Sequence, residues 1–412
     1  IKKVHTTHHA EEGVTRGVID ILNMLLEEIH CSSEDVVFIA HGTTQATNAL
    51  LEGDVAEIGI LGMGSGIGVA KVKADTDIGG VKLEDDKEIR EGVEIFLKSQ
   101  GYVVFQAADG LEGLKALEEN EIDLAIVDVM MPKMDGIQFL RKLMPQYPLP
   151  VVVISALDAR VFDAMEAGAV DFVCKPSTVE RSKVSDFIRK ELGTKIKIAS
   201  TVRVGNLKRV ESNHVRGVSA VNKDMVIAIG ASTGGTEAIF EVVKQFRTDI
   251  PGVVIVQHMP PGFTEMYANR LNNQCQVAVK EAVTGDKVLP GRVLIAPGDK
   301  HMRLVKVNGV YQVECKAGEK VSGHCPSVDV LFSSVAKTAG RDALGVILTG
   351  MGGDGANGLL EMRKAGAKTI GQNEATCVVY GMPKVAYDIG AVQYQMELSS
   401  ITNKIYGLLK TN

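Results

Sequence analysis

Short apolar runs, each closed by a glycine, proline or polar turn, alternate with helical patterns in two separate stretches of this chain. That alternation limits the fold more than any other feature. In residues 83–176, strand patterns at 102–105, 123–127, 151–154 and 170–173 interleave with helical patterns at 87–99, 111–119, 136–143 and 159–167. In residues 223–412 the apolar strands fall at 225–229, 252–256, 292–295 and 343–348. Alternating strands and helices bury a parallel sheet between two helical layers, so both stretches read as α/β domains. Ligands of such sheets sit beyond the carboxyl ends of the strands, which makes the residues just after each apolar run the candidates for function.

At 412 residues the chain exceeds what one hydrophobic core organises, in keeping with several domains. Residues 177–222, rich in Lys, Arg and Ser, read as a linker with one helix near 183–192, and residues 1–82 as a separate N-terminal α/β piece. A net charge of -6 offers no general attraction for nucleic acid or an anionic membrane. The six cysteines include no CxxC, which fits a reducing compartment; with no apolar run long enough to span a bilayer and no signal-peptide region, a cytoplasmic protein is expected. The opening Ile in place of Met indicates a processed or truncated chain. Cys315, His324 and Cys325 form the densest group of soft ligands, but tetrahedral zinc needs a fourth ligand and closer pairs.

The stretch GASTGGTEA (230–238) follows the run MVIAI and matches the strand-turn-helix pattern G-x-S-x-G, which lifts a serine above a sheet. By itself it equally describes a glycine turn with Ser232 capping the next helix. A serine needs a base and an orienting carboxylate. His258 directly follows the strand GVVIVQ, and Asp354 lies in the glycine loop after ALGVILTG. His301 and His324 are the other histidines downstream, each readable as a plain hydrogen-bonded side chain. The order Ser232, His258, Asp354 differs from the Ser, Asp/Glu, His order of α/β hydrolases.

Over about 223–410, IGASTGGTEA, VQHMPPGFT, IAPGDKHM, PSVDVLF, ILTGMGGDGANG and QNEATCVVYGMP occur in sequence, and the stretch closely resembles the catalytic domain of the chemotaxis protein-glutamate methylesterases. The resemblance implies Ser232 as nucleophile, His258 as base and Asp354 as its orienter. Backbone amides of Thr233 and Met351 would hold the oxyanion. It also implies hydrolysis of receptor glutamate methyl esters without a catalytic cofactor, deamidation of receptor glutamines, and methyl-accepting chemotaxis receptors as partners. Many members carry arginines around the HxP turn where this chain has Gly323-His324-Cys325-Pro326.

In the first stretch Asp128, Ser155 and Lys175 each close a different strand and together form a pocket suited to aspartyl phosphorylation. Residues 84–176 resemble a response-regulator receiver of flavodoxin-like fold. This implies Asp128 as phosphoacceptor, Ser155 and Phe172 as switch residues, and Lys175 as phosphate contact. It further implies Glu84 and Asp85, with Asp128, as Mg²⁺ ligands, and a chemotaxis histidine kinase as partner. The apolar first strand that should precede the acidic pair is replaced by DTDIGGVKL, with only Val81 and Leu83 in pattern.

VVFIAHGTTQATNALLEG resembles part of the hydantoinase/oxoprolinase N-terminal region, without that family's nucleotide segment or catalytic portion. GMGSGIG (62–68) reads as a turn. The reading is therefore a methylesterase under receiver control; the alternatives are a non-catalytic phosphoryl-accepting signalling module and a ring hydrolase fragment.

Overall fold

The computed structural model describes residues 59–63, 86–156, 158–176, 187–202 and 222–409, the first of these as backbone only. Two compact units are separated near residue 57, and the described residues all lie in the second.

The first sheet follows from β1 (Gly59–Met63), α1 (Asp86–Ser99), β2 (Val103–Ala107), α2 (Gly110–Glu119), β3 (Leu124–Asp128), α3 (Gly136–Gln146), β4 (Val151–Ser155), α4 (Val161–Glu166) and β5 (Asp171–Cys174). Its five strands are parallel in the order β2-β1-β3-β4-β5, the flavodoxin-like winding. Strands β3 and β4 are buried on both faces, as their unbroken apolar runs LAIVD and VVVIS require. The central strand was expected near Val81 and Leu83, which lie outside the described residues together with Glu84 and Asp85. That place is filled by Gly59–Met63, with Gly59 opposite Val103 and Ile60 opposite Leu124. The GMGSGIG turn reading is corrected at its start, since Gly62 and Met63 belong to this strand.

The expected linker also changes. A helical segment runs through Phe187–Leu192 as a wide turn and continues as α5 (Gly193–Ala199). Phe187, Ile188, Leu192, Ile196 and Ala199 recur at helical spacing and pack with Val93, Leu97, Ile126 and Val152 of the first sheet's core. The Lys and Arg residues between them keep to the outside, which is what gave the segment its linker-like composition.

The second sheet is built from β6 (Val226–Ala231), α6 (Gly235–Val243), β7 (Gly252–Gln257), α7 (Phe263–Gln274), β8 (Ala278–Glu281) and β9 (Arg292–Ile295). An antiparallel hairpin follows, β10 (His301–Val307) and β11 (Val310–Lys316), then α8 (Val328–Thr338), β12 (Ala343–Ile347), α9 (Ala356–Lys364), β13 (Lys368–Gln372), α10 (Met382–Asp388), β14 (Tyr394–Met396) and α11 (Leu398–Leu408). Seven parallel strands lie in the order β14-β13-β12-β6-β7-β9-β8. The chain winds outward from β6 in one direction through β7 and later returns through β12 in the other. The switch point is therefore between β6 and β12, and the crevice at their carboxyl ends is the preferred place for a ligand.

Ile227, Ile229, Val253 and Ile255 are fully buried, and each such side chain contributes roughly 1.5–3 kcal/mol relative to exposure. The register aligns Ile347 with Gly230, and Gly230 with Val256, so β12, β6 and β7 end at the same level. The residues just past those three ends are Ser232, His258 and the 349–354 loop.

Candidate active site

Beyond β6 the ladder continues for one more bond, Ser232 N–H to Thr349 O at 3.0 Å, and His258 N–H reaches Ala231 O at 3.2 Å. The turn then reverses at Gly234, whose φ of +74° is left-handed and costs an L side chain strain. A Cβ on Gly350 would come within 2.7 Å of the Ser232 Cβ, so the β12 loop can lie against the nucleophile turn only with glycine there. Ser232 and Thr233 are both buried at this corner, at the N-terminus of α6. Among the described residues, Thr233 N–H and Met351 N–H have no protein acceptor, leaving two donors at the corner for a ligand.

His258 Nε2 is 2.7 Å from Asp354 Oδ2, and its Nδ1 is buried without a partner among the described residues. Asp354 also accepts from Ser327 Oγ at 2.7 Å, Val328 N–H at 2.7 Å and Asp329 N–H at 3.0 Å. Those two amides open α8, so the carboxylate caps a helix N-terminus as well as holding a histidine. Burial alone would raise the Asp354 pKa. The His258 hydrogen bond and the backbone and Ser327 donors outweigh it and hold the carboxyl below its ordinary value. An ionised carboxylate only accepts, which assigns the proton of this bond to Nε2; in the neutral ring the lone pair is then on Nδ1.

Ser327 and His301 carry no sequence-predicted role. His301 is buried; its Nδ1 accepts from Ser327 N–H at 3.2 Å and its Nε2 lies 2.8 Å from Glu319 O, so it fixes the residue that holds Asp354. Gln257 Nε2 donates to Ser232 O at 2.9 Å and braces the Ser232 turn from β7. His324, grouped in the sequence with Cys315 and Cys325, has its ring stacked on His258.

Residues Ser232, His258 and Gln257 line a cavity of about 170 Å³ whose other wall is Asp171, Phe172 and Val173 of β5 with Lys190, Glu191 and Lys195 of the following helix. Asp171 Oδ2 accepts from Thr233 Oγ1 and from Lys195 Nζ, each at 2.6 Å. Phe172 meets Phe263 of α7 at 4.9 Å between centroids, and Phe162 of α4 meets Tyr267 at 5.4 Å. Arg270 of α7 bridges Asp163 and Glu166 of α4, both at 2.7 Å. One domain thus covers the other's crevice.

At the first sheet's own carboxyl edge Asp128 is buried, with Lys175 Nζ 2.5 Å from its Oδ2 and Met130 N–H 3.0 Å from its Oδ1. Ser155 Oγ, on the adjacent strand, is buried with no partner among the described residues. Phe172 lies opposite Val153 of β4, two residues before Ser155, and its ring meets Phe263 across the covering face.

Residues 227–405 match the CheB methylesterase family and residues 82–185 the response regulator receiver domain. Residues 1–126 match the hydantoinase/oxoprolinase N-terminal region, overlapping the receiver match. The chain is 58% identical over 307 residues to protein-glutamate methylesterase/protein-glutamine glutaminase 2 of Syntrophomonas wolfei, covering 74% of this chain and 90% of that protein. The chain belongs to this methylesterase family. The Salmonella typhimurium protein-glutamate methylesterase/protein-glutamine glutaminase is 46% identical over 308 residues, covering 74% of this chain and 88% of the relative. A crystal structure of the Thermotoga maritima CheB methylesterase catalytic domain aligns with a TM-score of 0.44 at 36% identity, over 45% of this chain and all of that one. Membership in this esterase family does not favour the non-catalytic module or the ring hydrolase. Among the described residues no helix is long and apolar enough to cross a membrane.

Proposed function

We propose that the crevice between β6, β7 and β12 hydrolyses side-chain methyl esters of receptor glutamates, with Ser232 as nucleophile, His258 as general base and acid, and Asp354 as its orienter. The observation that carries this reading is the His258 to Asp354 bond at the end of aligned strands, with Ser232 and His258 lining one cavity and Nδ1 unpaired among the described residues.

In the first step Ser232 Oγ attacks the ester carbonyl while Nδ1 takes its proton. Thr233 and Met351 N–H groups receive the oxyanion, a role for which one such donor is worth about 3 kcal/mol. His258 then gives the proton to the departing methoxide, releasing methanol and leaving an acyl ester on Ser232. Water attacks the ester with His258 again as base, and the serine leaves as the glutamate carboxylate forms. Asp354, held ionised by α8, stabilises the imidazolium at both stages. The same cycle on a glutamine releases ammonia.

The receiver is the regulator. Asp128 is the phosphoacceptor, Lys175 contacts the phosphoryl oxygens, and the unpartnered Ser155 Oγ is free to bond one of them. Asp128 would hold a divalent cation with Glu84 and Asp85, of which the latter two lie outside the described residues. Mg²⁺ there would neutralise phosphate charge. Movement of Phe172 toward Ser155 would withdraw the ring from Phe263 and loosen the cover over Ser232. The implied partners are methyl-accepting receptors and the chemotaxis kinase, and the place of action is the cytoplasm. The domains are taken as a receiver over 83–176 and a catalytic domain over 223–412, with 177–222 between them.

Methanol release from methylated receptor membranes tests the reading. The full chain should release it and Ser232→Ala should stay at background; equal rates for the two proteins would refute the assignment.

A further inference from the structure

His324 sits in a turn built to hold one side chain in place. Val321 and His324 exchange two backbone hydrogen bonds of 3.0 Å, and the two residues between them, Ser322 and Gly323, have φ of +52° and +83°. Left-handed conformations at both central positions make the tightest two-residue reversal, with little freedom for the flanking residues. The turn is further tied by Ser322 Oγ to Asp329 Oδ2 at 3.3 Å, and Asp329 lies next to the α8 amides that hold Asp354. His324 projects from this mount onto the catalytic histidine, with ring centroids 3.6 Å apart and planes 11° from parallel.

We propose that His324 is a positioning residue for the hydrolytic reaction: its stacked ring fixes the plane of the His258 imidazole so that Nδ1 faces the Ser232 hydroxyl. The inference rests on the proposed roles of Ser232 and His258. Asp354 holds only one nitrogen of His258, and a single hydrogen bond leaves the ring free to pivot about it. Swinging Nδ1 away would break the proton path without breaking the Asp354 bond. A flat neighbour blocks that pivot without taking a hydrogen bond from Nδ1, which neither a bulky aliphatic group nor water would do.

The stacked ring also stays out of the proton chemistry. Burial, followed by the neighbouring His258 and by Lys195 and Lys320, pushes the His324 pKa down to about 4, against the opposing pull of Asp354. It is therefore neutral near neutral pH and neither competes for the serine proton nor repels the imidazolium. A neutral aromatic face beside that cation is mildly attractive. At the strength usual for aromatic pairs, losing the stack should cost about two- to tenfold in rate.

The test compares the full chain with Ser232→Ala, His324→Ala and His324→Phe, measuring kcat and KM for methanol release alongside thermal melting. His324→Ala should lower kcat about two- to tenfold with KM little changed, and His324→Phe, which keeps a flat ring and loses both nitrogens, should recover most of the loss. The proposal is overturned if His324→Ala keeps the parental kcat, if it raises KM alone, or if His324→Phe is as slow as His324→Ala in a protein of parental melting temperature. A parent no faster than Ser232→Ala would overturn the reading of the site itself, and this inference with it.

Discussion

Asp354→Asn isolates the charge at the centre of the site. The carboxylate accepts four hydrogen bonds, from His258, Ser327, Val328 and Asp329. An amide of the same shape accepts on one side only. If its oxygen faces Ser327 and Asp329, its NH₂ faces Val328 N–H and His258, which forces the proton of His258 onto Nδ1 and removes the acceptor for Ser232. If its oxygen faces His258 and Val328, its NH₂ points at Asp329 N–H, and the imidazolium loses its counter-charge. Either orientation leaves one backbone donor facing another, a cost of about 1–3 kcal/mol in stability. Relief from burying a charge offsets part of this, so the fold should survive. The wrong tautomer or the missing charge should lower kcat by about 10³-fold or more, about 4 kcal/mol of transition-state stabilisation. Methanol release under saturating substrate measures it, with a melting curve to show a folded protein. A folded Asp354→Asn chain within about tenfold of the parent would refute the role given to this carboxylate.

Two further changes probe the cover and its electrostatics. Asp171→Ala removes the buried acceptor shared by Thr233 and Lys195, and a hydrogen bond to a charged group is worth about 1.5–3 kcal/mol, so basal methanol release should rise at least about tenfold. Arg270→Ala breaks two ion pairs whose carboxylates are about half exposed, and should raise it much less; equal effects would mean the cover is held at its rim. Burial raises the Glu237 pKa from 4.5 to about 7 despite the opposing Arg270, so the native state keeps a proton that the unfolded chain releases in that window, and stability falls as pH rises through it. Glu237→Gln should therefore melt like the parent near pH 4.5 and be more stable above pH 7, by up to about 3 kcal/mol from the size of the shift; no gain at high pH would refute the buried charge.

The strand ends that carry Ser232, His258, Asp354, Asp128 and Ser155 were legible because each follows an apolar run too short for a helix and too apolar for a surface strand. Other features escaped for identifiable reasons. GILGM has two glycines in five residues, and glycine weakens a strand, so nothing local marked it as the centre of a sheet. The β10–β11 hairpin did carry a signal, the Asn308-Gly309 pair with both residues at positive φ, within a stretch of mixed polarity. Ser327 could be read as a helix cap, but its bond to Asp354 spans 27 residues, and the His301 bond to Ser327 spans 26, distances no local pattern encodes. Asp171 falls within the 170–173 strand pattern, with nothing in the local sequence to single it out. Its importance comes from Thr233, 62 residues away on the other domain.

The central claim is a complete Ser232, His258, Asp354 site kept covered by the receiver until Asp128 is phosphorylated. Its most direct measurement is the rate of methanol release from methylated receptor membranes by the full chain, with and without a small acyl phosphate and Mg²⁺, for the parent, Asp128→Asn and Ser232→Ala. Release should rise with the phosphodonor in the parent alone, stay at the basal rate in Asp128→Asn, and be absent in Ser232→Ala. A phosphodonor-treated parent that releases no more methanol than Ser232→Ala would contradict it.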